Sequence, residues 1–361
     1  MQSSAVFPGK PPFEIVSPAA PRLPVVLNSP HSGCCYRPDF LAASRLDEKA
    51  IRRSEDFYVD ELIAPAAALG CPLLKANFPR AWLDVNREPY ELDPKMFAGS
   101  LPTYANVRSV RVAGGLGTIA RVVSESEEIY ARPLEVSDAL ARIDAVYKPY
   151  HRALRQMVLD TRAEFGVAVL LDCHSMPSTV RGMHGRVRPD IVLGDRYGTS
   201  CASELTDFAA RVLSGFGYSV SRNKPYAGGF ITEHYGQPAR GLHAVQIEFN
   251  RNLYMDERTL AKTAAFDALS ADLARLIGSL TAAFNDGFLA RPEAAEEPKK
   301  KKGRSRGRGG PSLGRKRPRR ACGITAALQY SSNALHKSKR GRGFESGQND
   351  AVETEGRPSD K

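Results

Sequence analysis

The chain of 361 residues holds 51 Lys and Arg against 40 Asp and Glu, a formal charge of +11, but the surplus is local. Residues 291–361 carry 19 basic and 8 acidic side chains, which accounts for all of it, so residues 1–290 are neutral overall and ill-suited to binding a polyanion. No run approaches the roughly 18 apolar residues of a membrane span. Met1–Lys10 lacks the basic-then-apolar pattern of a signal peptide, and six cysteines show no CxxC pairing, so a reducing cytoplasm is the expected compartment.

Leu23–Asn28 predicts a first strand running into Ser29-Pro30-His31-Ser32-Gly33. A helical stretch follows over about Asp47–Leu69, then a short strand at Pro72–Ala76. Apolar residues at three- and four-residue steps, Leu140, Ile143, Val146, Tyr147, Tyr150, Leu154, Met157 and Val158, predict one long helix over about Val136–Phe165, stopped by Gly166. Val167–Leu171 is a strand ending in Asp172-Cys173-His174-Ser175. Asp190–Gly194 gives another strand, Ser200–Leu213 a helix, Ala244–Arg251 a further strand and Glu257–Phe284 a last helix. Strand–helix alternation with short connections indicates a three-layer α/β/α sandwich with a mostly parallel or mixed sheet. Ligands bind such sheets at the carboxyl ends of the strands.

Two strands therefore deliver a histidine to that edge. In the third, alternation sends Val245, Ile247 and Phe249 to one face and Gln246, Glu248 and Asn250 to the other. Neutral imidazoles bind zinc, and a nearby carboxylate can move protons for its water, so His31, His174 and Glu248 suit a metal-dependent hydrolase. The plain alternatives stay open: hydrogen-bonded histidines in turns after strands, and a Glu248 paired with an arginine such as Arg251.

Residues 1–22 read as an extension and 23–290 as one domain. Residues 291–361 read as a basic, low-complexity tail too poor in apolar groups to order. The tail is either a solvated appendage or an arm for non-specific nucleic-acid contact. Its densest basic runs, 299–308 and 315–320, hold no aromatic residues as stacking platforms. A polyanion-binding protein acting through this tail is the competing functional class.

The body resembles the N-formylglutamate amidohydrolase family, a relative of the zinc carboxypeptidase-like hydrolases. The likeness rests on six blocks in order: Asn28–Gly33, Glu55–Leu62, Trp82–Glu88, Asp172–Ser175, Gly228–Thr232 with Tyr235-Gly236, and Gln246–Arg251. It implies a zinc carboxypeptidase-like, phosphorylase/hydrolase-like fold and hydrolysis of N-formyl-L-glutamate to formate and L-glutamate, a late step in one route of histidine breakdown. It also implies zinc or another divalent metal on His31 and His174. That pattern would place a glutamate three residues after the first histidine. Cys34 stands there, so the third ligand is open between Asp56, Glu55 and Cys34. Asp172 is expected to support a ligand from behind, and Glu248 to act as general base and acid. Asn86-Arg87 resembles a pair that grips a carboxylate, with Arg80, Arg181 and Arg251 as further cations. His151 reads as structural, and His184, His234 and His243 stand outside the ligand set, with His234 or His243 left as a candidate to polarise a carbonyl. Another N-acyl amino acid or a short peptide is the alternative substrate.

Overall fold

The computed structural model describes residues 7, 9–18, 23–123, 127–179 and 188–288. Arg181, His184 and the basic tail lie outside these residues. The apolar runs form strands β1 (Phe13–Val16), β2 (Val25–Ser29), β3 (Leu73–Ala76), β4 (Phe97–Ala98), β5 (Leu134–Glu135), β6 (Ala168–Met176), β7 (Ile191–Gly194), β8 (Val220–Arg222) and β9 (Leu242–Asn250). Among the described residues, seven of these make one sheet in the order β1-β3-β2-β6-β9-β7-β8, while β4 pairs with β5. The central neighbours β3, β2, β6 and β9 are parallel. β1 is antiparallel to β3 and β7 to β9, so the sheet is mixed.

β6 and β9 are buried at every position, as expected for central strands covered on both faces. On one face Val26, Leu74, Leu170 and Ala244 pack with Tyr150, Leu154, Met157 and Val158 of the helix Lys148–Phe165. On the other, Leu27, Leu171, Val245, Ile247 and Phe249 meet the helices Val59–Ala67, Ser203–Gly215 and Phe266–Asn285. These are the three layers of an α/β/α sandwich. Burying each such side chain contributes roughly 1.5–3 kcal/mol, so the two cores fix the register of the sheet. That register sets Asn28 opposite Asp172, and His174 opposite Glu248.

Three helices depart from the pattern read in the sequence. The stretch over Asp47–Leu69 is broken into Glu48–Ile51, a 3-10 turn at Arg52–Ser54, and Val59–Ala67. Tertiary bonds override its periodicity. Asp56 N–H donates to the His31 carbonyl at 3.0 Å, Arg251 Nη2 donates to the Glu55 carbonyl at 2.5 Å, and Tyr58 takes φ 61°. The long helix is continuous in direction, but Ile143–Tyr147 widens to π geometry before Lys148–Phe165. Pro149 follows at once; its missing N–H and its ring are what a local widening accommodates. Gly166 ends this helix at φ 77°, a conformation glycine adopts without strain, with its N–H on the Arg162 carbonyl. The last helix begins at Phe266 rather than Glu257. Asp256 Oδ1 draws the N–H groups of Arg258 and Thr259 into a turn, and Leu260 then takes φ 61°.

Candidate active site

The carboxyl ends of β2, β6 and β9 open into a cleft of about 570 Å³ lined by His31, Asp56, Asp84, His174, Gln246 and Glu248. His31 comes two residues after β2, whereas His174 and Glu248 lie within β6 and β9. Asp56 arrives through the helix break, because the Asp56–His31 backbone bond turns this residue back over β2.

The two imidazole rings stand 4.8 Å apart, centroid to centroid, and both direct Nδ1 at Asp56 Oδ2, at 3.4 Å from His31 and 2.9 Å from His174. On the far side of each ring, Nε2 meets a buried carboxylate. His31 Nε2 lies 2.8 Å from Asp84 Oδ1, and His174 Nε2 lies 3.0 Å from Asp172 Oδ2. Those carboxylates take the Nε2 protons, so a cation bound beside Asp56 would meet the two Nδ1 atoms in place of protons. Among the described residues, His31, Asp56 and His174 form a buried group whose ligand atoms lie within 4.8 Å of one another. His31 Nδ1 is buried without a hydrogen-bond partner. A buried polar atom left so costs about 1–3 kcal/mol, and a cation between these three side chains would satisfy it.

The electrostatics point the same way. Burial is the largest influence on Asp56 and opposes its charge, yet the two histidines hold it well below the usual carboxylate range. Burial likewise opposes the charge on Asp84, but Arg87, His31 and Arg80 outweigh it. In His174 burial resists protonation, and Asp172 and Asp56 together raise its affinity for a proton well above the ordinary value. Negative charge converges here and calls for a positive partner. Glu248 differs: burial pushes its carboxyl up to about 7, with His174 the main opposing influence. Its Oε1 accepts from Gln246 Nε2 at 2.7 Å, and Gln246 Oε1 accepts the Gly229 N–H at 2.8 Å.

The three candidates for a third ligand separate cleanly. Glu55 accepts from Tyr36 Oη at 2.6 Å and from Arg52 at 3.0 and 3.1 Å, and Cys34 is exposed, so neither joins the histidine pair as Asp56 does. Asp172 accepts from Asn28 Nδ2 at 2.7 Å, and Asn28 Oδ1 accepts from Tyr150 at 2.6 Å, which anchors it to the core. Arg80, Arg87 and Arg251 all line the cleft. Arg87 donates Nε to the Leu116 carbonyl and Nη1 to the Asn86 carbonyl. Arg251 donates Nε to Ser175 and sits 3.6 Å from Asp56 Oδ1, beside the metal-type group. The Asn86 amide is engaged by the protein. Its Oδ1 accepts the Ile231 N–H at 2.8 Å, and its Nδ2 donates to Asp172 Oδ2 at 3.4 Å. A β-carbon on Gly229 would lie 2.4 Å from Asn86 Oδ1, so only glycine lets this loop close over it.

His151 lies against Tyr235 and the Val85 carbonyl, His234 against Arg155, and His243 receives the Ala202 N–H; none lines the cleft. Sequence reasoning gave no role to Asp84, which braces His31 and is bonded by Arg80 Nη2 at 2.8 Å. Its signal was an acid between Leu83 and Val85 in an otherwise apolar stretch. Arg111 and Arg196 also line the cleft and carried no pattern at all.

Two histidines braced by carboxylates, an acid shared between them and a glutamate poised near neutrality define a hydrolytic centre on an α/β sandwich. Residues 23–255 match the N-formylglutamate amidohydrolase family, and the chain belongs to it. The N-formylglutamate deformylase of Pseudomonas aeruginosa is 30% identical over 280 residues, covering 77% of this chain and 97% of the relative. Its counterpart from Pseudomonas putida is 29% identical over 239 residues, covering 65% and 83%. The crystal structure of N-formylglutamate amidohydrolase from Ralstonia eutropha JMP134 superposes with a TM-score of 0.72 at 36% identity, covering 76% of this chain and 99% of that one. The chain is thus a hydrolase of amide bonds acting on a small molecule. No helix among the described residues is long and apolar enough to cross a membrane.

Proposed function

We propose that this enzyme hydrolyses N-formyl-L-glutamate to formate and L-glutamate, as a cytoplasmic step of histidine degradation, and that it does so with a divalent metal, zinc in the first instance. The observation that carries the metal is the convergence of two carboxylate-braced Nδ1 atoms on Asp56, with that of His31 orphaned. His31, Asp56 and His174 would hold the ion, a nitrogen and oxygen set suited to zinc. When bound there, zinc supplies Lewis-acid polarisation of the formyl oxygen and lowers the pKa of water.

The chain's own residues do the rest. Asp84 and Asp172 fix the tautomer and tilt of the two imidazoles. Gln246 occupies Glu248 Oε1, so Oε2 is the atom left to take the proton of the attacking water. Water oxygen joins the formyl carbon, the C–N bond breaks, and Glu248 returns the proton to the departing amine nitrogen. Arg87 holds a substrate carboxylate with the N–H groups not engaged by Leu116 and Asn86. Asn86 fixes the wall beside it, and Arg251 supports Asp56; Arg181 is a further candidate cation.

The test is formate release from N-formyl-L-glutamate, N-formyl-L-leucine and N-acetyl-L-glutamate by the purified protein. Preference for the first by tenfold or more is expected, and equal rates on the leucine compound would contradict the glutamate assignment. A second reading, hydrolysis of another N-acyl amino acid or short peptide, is favoured by a cleft whose volume falls in the range of sites for larger ligands. A faster rate on the acetyl compound would select it.

A further inference from the structure

We propose that Arg196 recognises the side-chain carboxylate of the substrate and sets the preference for an acidic over a neutral amino acid. This deepens the reading above, which leaves the second carboxylate without an assigned partner. Arg196 lines the same cleft as Glu248, Gly228 and Gly229. It enters from the β7 side of the sheet, just after Gly194. Arg87 stands 3.7 Å from Asp84, which touches His31, and therefore lies on the β2 side. β6 and β9 lie between the two sides, so Arg87 and Arg196 border the same cleft from opposite strands. In the proposed pose one carboxylate of the substrate meets each.

The turn that carries Arg196 is built at a conformational cost. Arg196 and Tyr197 take φ 53° and 56°, a left-handed region that residues with side chains rarely adopt. The Tyr197 side chain is 72% exposed, so its packing does not explain the strain. What holds the turn is a set of bonds to the neighbouring strap. Arg196 N–H donates to the Ala227 carbonyl at 2.7 Å, Asn223 Nδ2 donates to the buried Asp195 Oδ1 at 2.7 Å, and Asp195 N–H donates back to Asn223 Oδ1 at 3.0 Å. The result is a fixed origin for one long side chain at the cleft.

Its guanidinium is available to a ligand. Arg196 Nη2 lies 2.7 Å from Glu233 Oε2, whose side chain is 59% exposed, and Nη1 donates to the Gly228 carbonyl at 3.5 Å, a long bond. An ion pair so open to water is weak and readily exchanged. Arg80 and Arg251 are instead held by the buried Asp84, and by Ser175 and the Glu55 carbonyl, respectively. A substrate carboxylate taking the place of Glu233 gains the planar two-donor contact that arginine offers.

Steady-state kinetics on N-formyl-L-glutamate and N-formyl-L-glutamine, with Arg196→Ala, Arg196→Lys and Glu233→Gln, test this, together with calorimetric binding of L-glutamate and L-glutamine. Arg196→Ala is expected to raise KM for the glutamate compound tenfold or more, with kcat within about threefold, and to leave the glutamine compound unchanged. Arg196→Lys should restore part of the loss. Glu233→Gln lies on the surface and removes the competing carboxylate, so it should lower KM for the glutamate compound by up to about fivefold. Equal losses on both substrates, or a retained preference in Arg196→Ala, would overturn the assignment. A wild-type protein that releases no formate from N-formylglutamate overturns the proposed substrate instead. In that event calorimetry decides on Arg196: a glutamate preference lost in Arg196→Ala supports it, and equal binding of the two amino acids by the wild type refutes it.

Discussion

At the scale of single residues, the site divides its carboxylates by environment. Burial pushes the Glu248 carboxyl up to about 7. Burial is outweighed at Asp56 by the two histidines and at Asp84 by Arg87, His31 and Arg80, which hold both well below the usual carboxylate range. The two kinds of acid should therefore fail differently. Glu248→Gln keeps the shape and removes the proton acceptor, so kcat should fall on the order of 10²-fold or more while metal content is kept. Asp84→Asn removes the brace behind His31, and zinc affinity should fall roughly 10- to 100-fold. Metal analysis and kinetics on the two variants check this, and loss of metal in Glu248→Gln would make that residue a ligand. His31, His174 and Glu248 were legible in the sequence because each sits in or just after an apolar strand whose direction is set by its pattern. Asp84 was not, because it lies in an irregular segment and meets His31, 53 positions away, only through the fold.

At the scale of elements, β2, β3, β6, β7 and β9 were read to within a few residues because burial leaves a nearly unbroken apolar signature. β1, β4, β5 and β8, short and partly exposed, carried none and were missed. Helix ends were read less well, since tertiary bonds, a proline and an aspartate turn decided them. The break at Glu55–Tyr58 is the clearest instance: the periodicity runs through it, but the backbone bond from Asp56 to His31 is long-range and invisible locally. The long helix makes a prediction about pH. His151 donates Nε2–H to the Val85 carbonyl at 2.8 Å, and burial is the main reason its pKa is pushed down to about 4. Unfolded, a histidine titrates near 6.5. As pH falls through that window, from about 6.5 to about 4, the unfolded chain takes the proton first. The stability that neutral His151 provides is fully present above 6.5 and is lost toward 4. Unfolding measured across this range should show a steeper loss in the wild type than in His151→Gln, and parallel curves would contradict the account.

At the scale of the whole molecule, charge and chemistry occupy different parts of the chain. The candidate site residues lie between His31 and Arg251, whereas the positive surplus lies beyond residue 290. We propose the division at that point, and truncation after Ala290 is expected to leave kcat/KM within about twofold. Any nucleic-acid affinity of the full chain should vanish with the tail and weaken steeply with salt. A truncated protein that folds but is inactive would instead place the tail in the site's function. The central claim, that hydrolysis depends on one divalent ion among His31, Asp56 and His174, is tested most directly by returning zinc to metal-stripped protein. Formate release from N-formyl-L-glutamate is followed throughout, in the wild type and in His174→Ala. Activity should climb from near zero to a plateau at about one zinc per wild-type chain and stay flat in the variant. Full activity in the stripped protein, or an equal plateau in His174→Ala, would contradict the account.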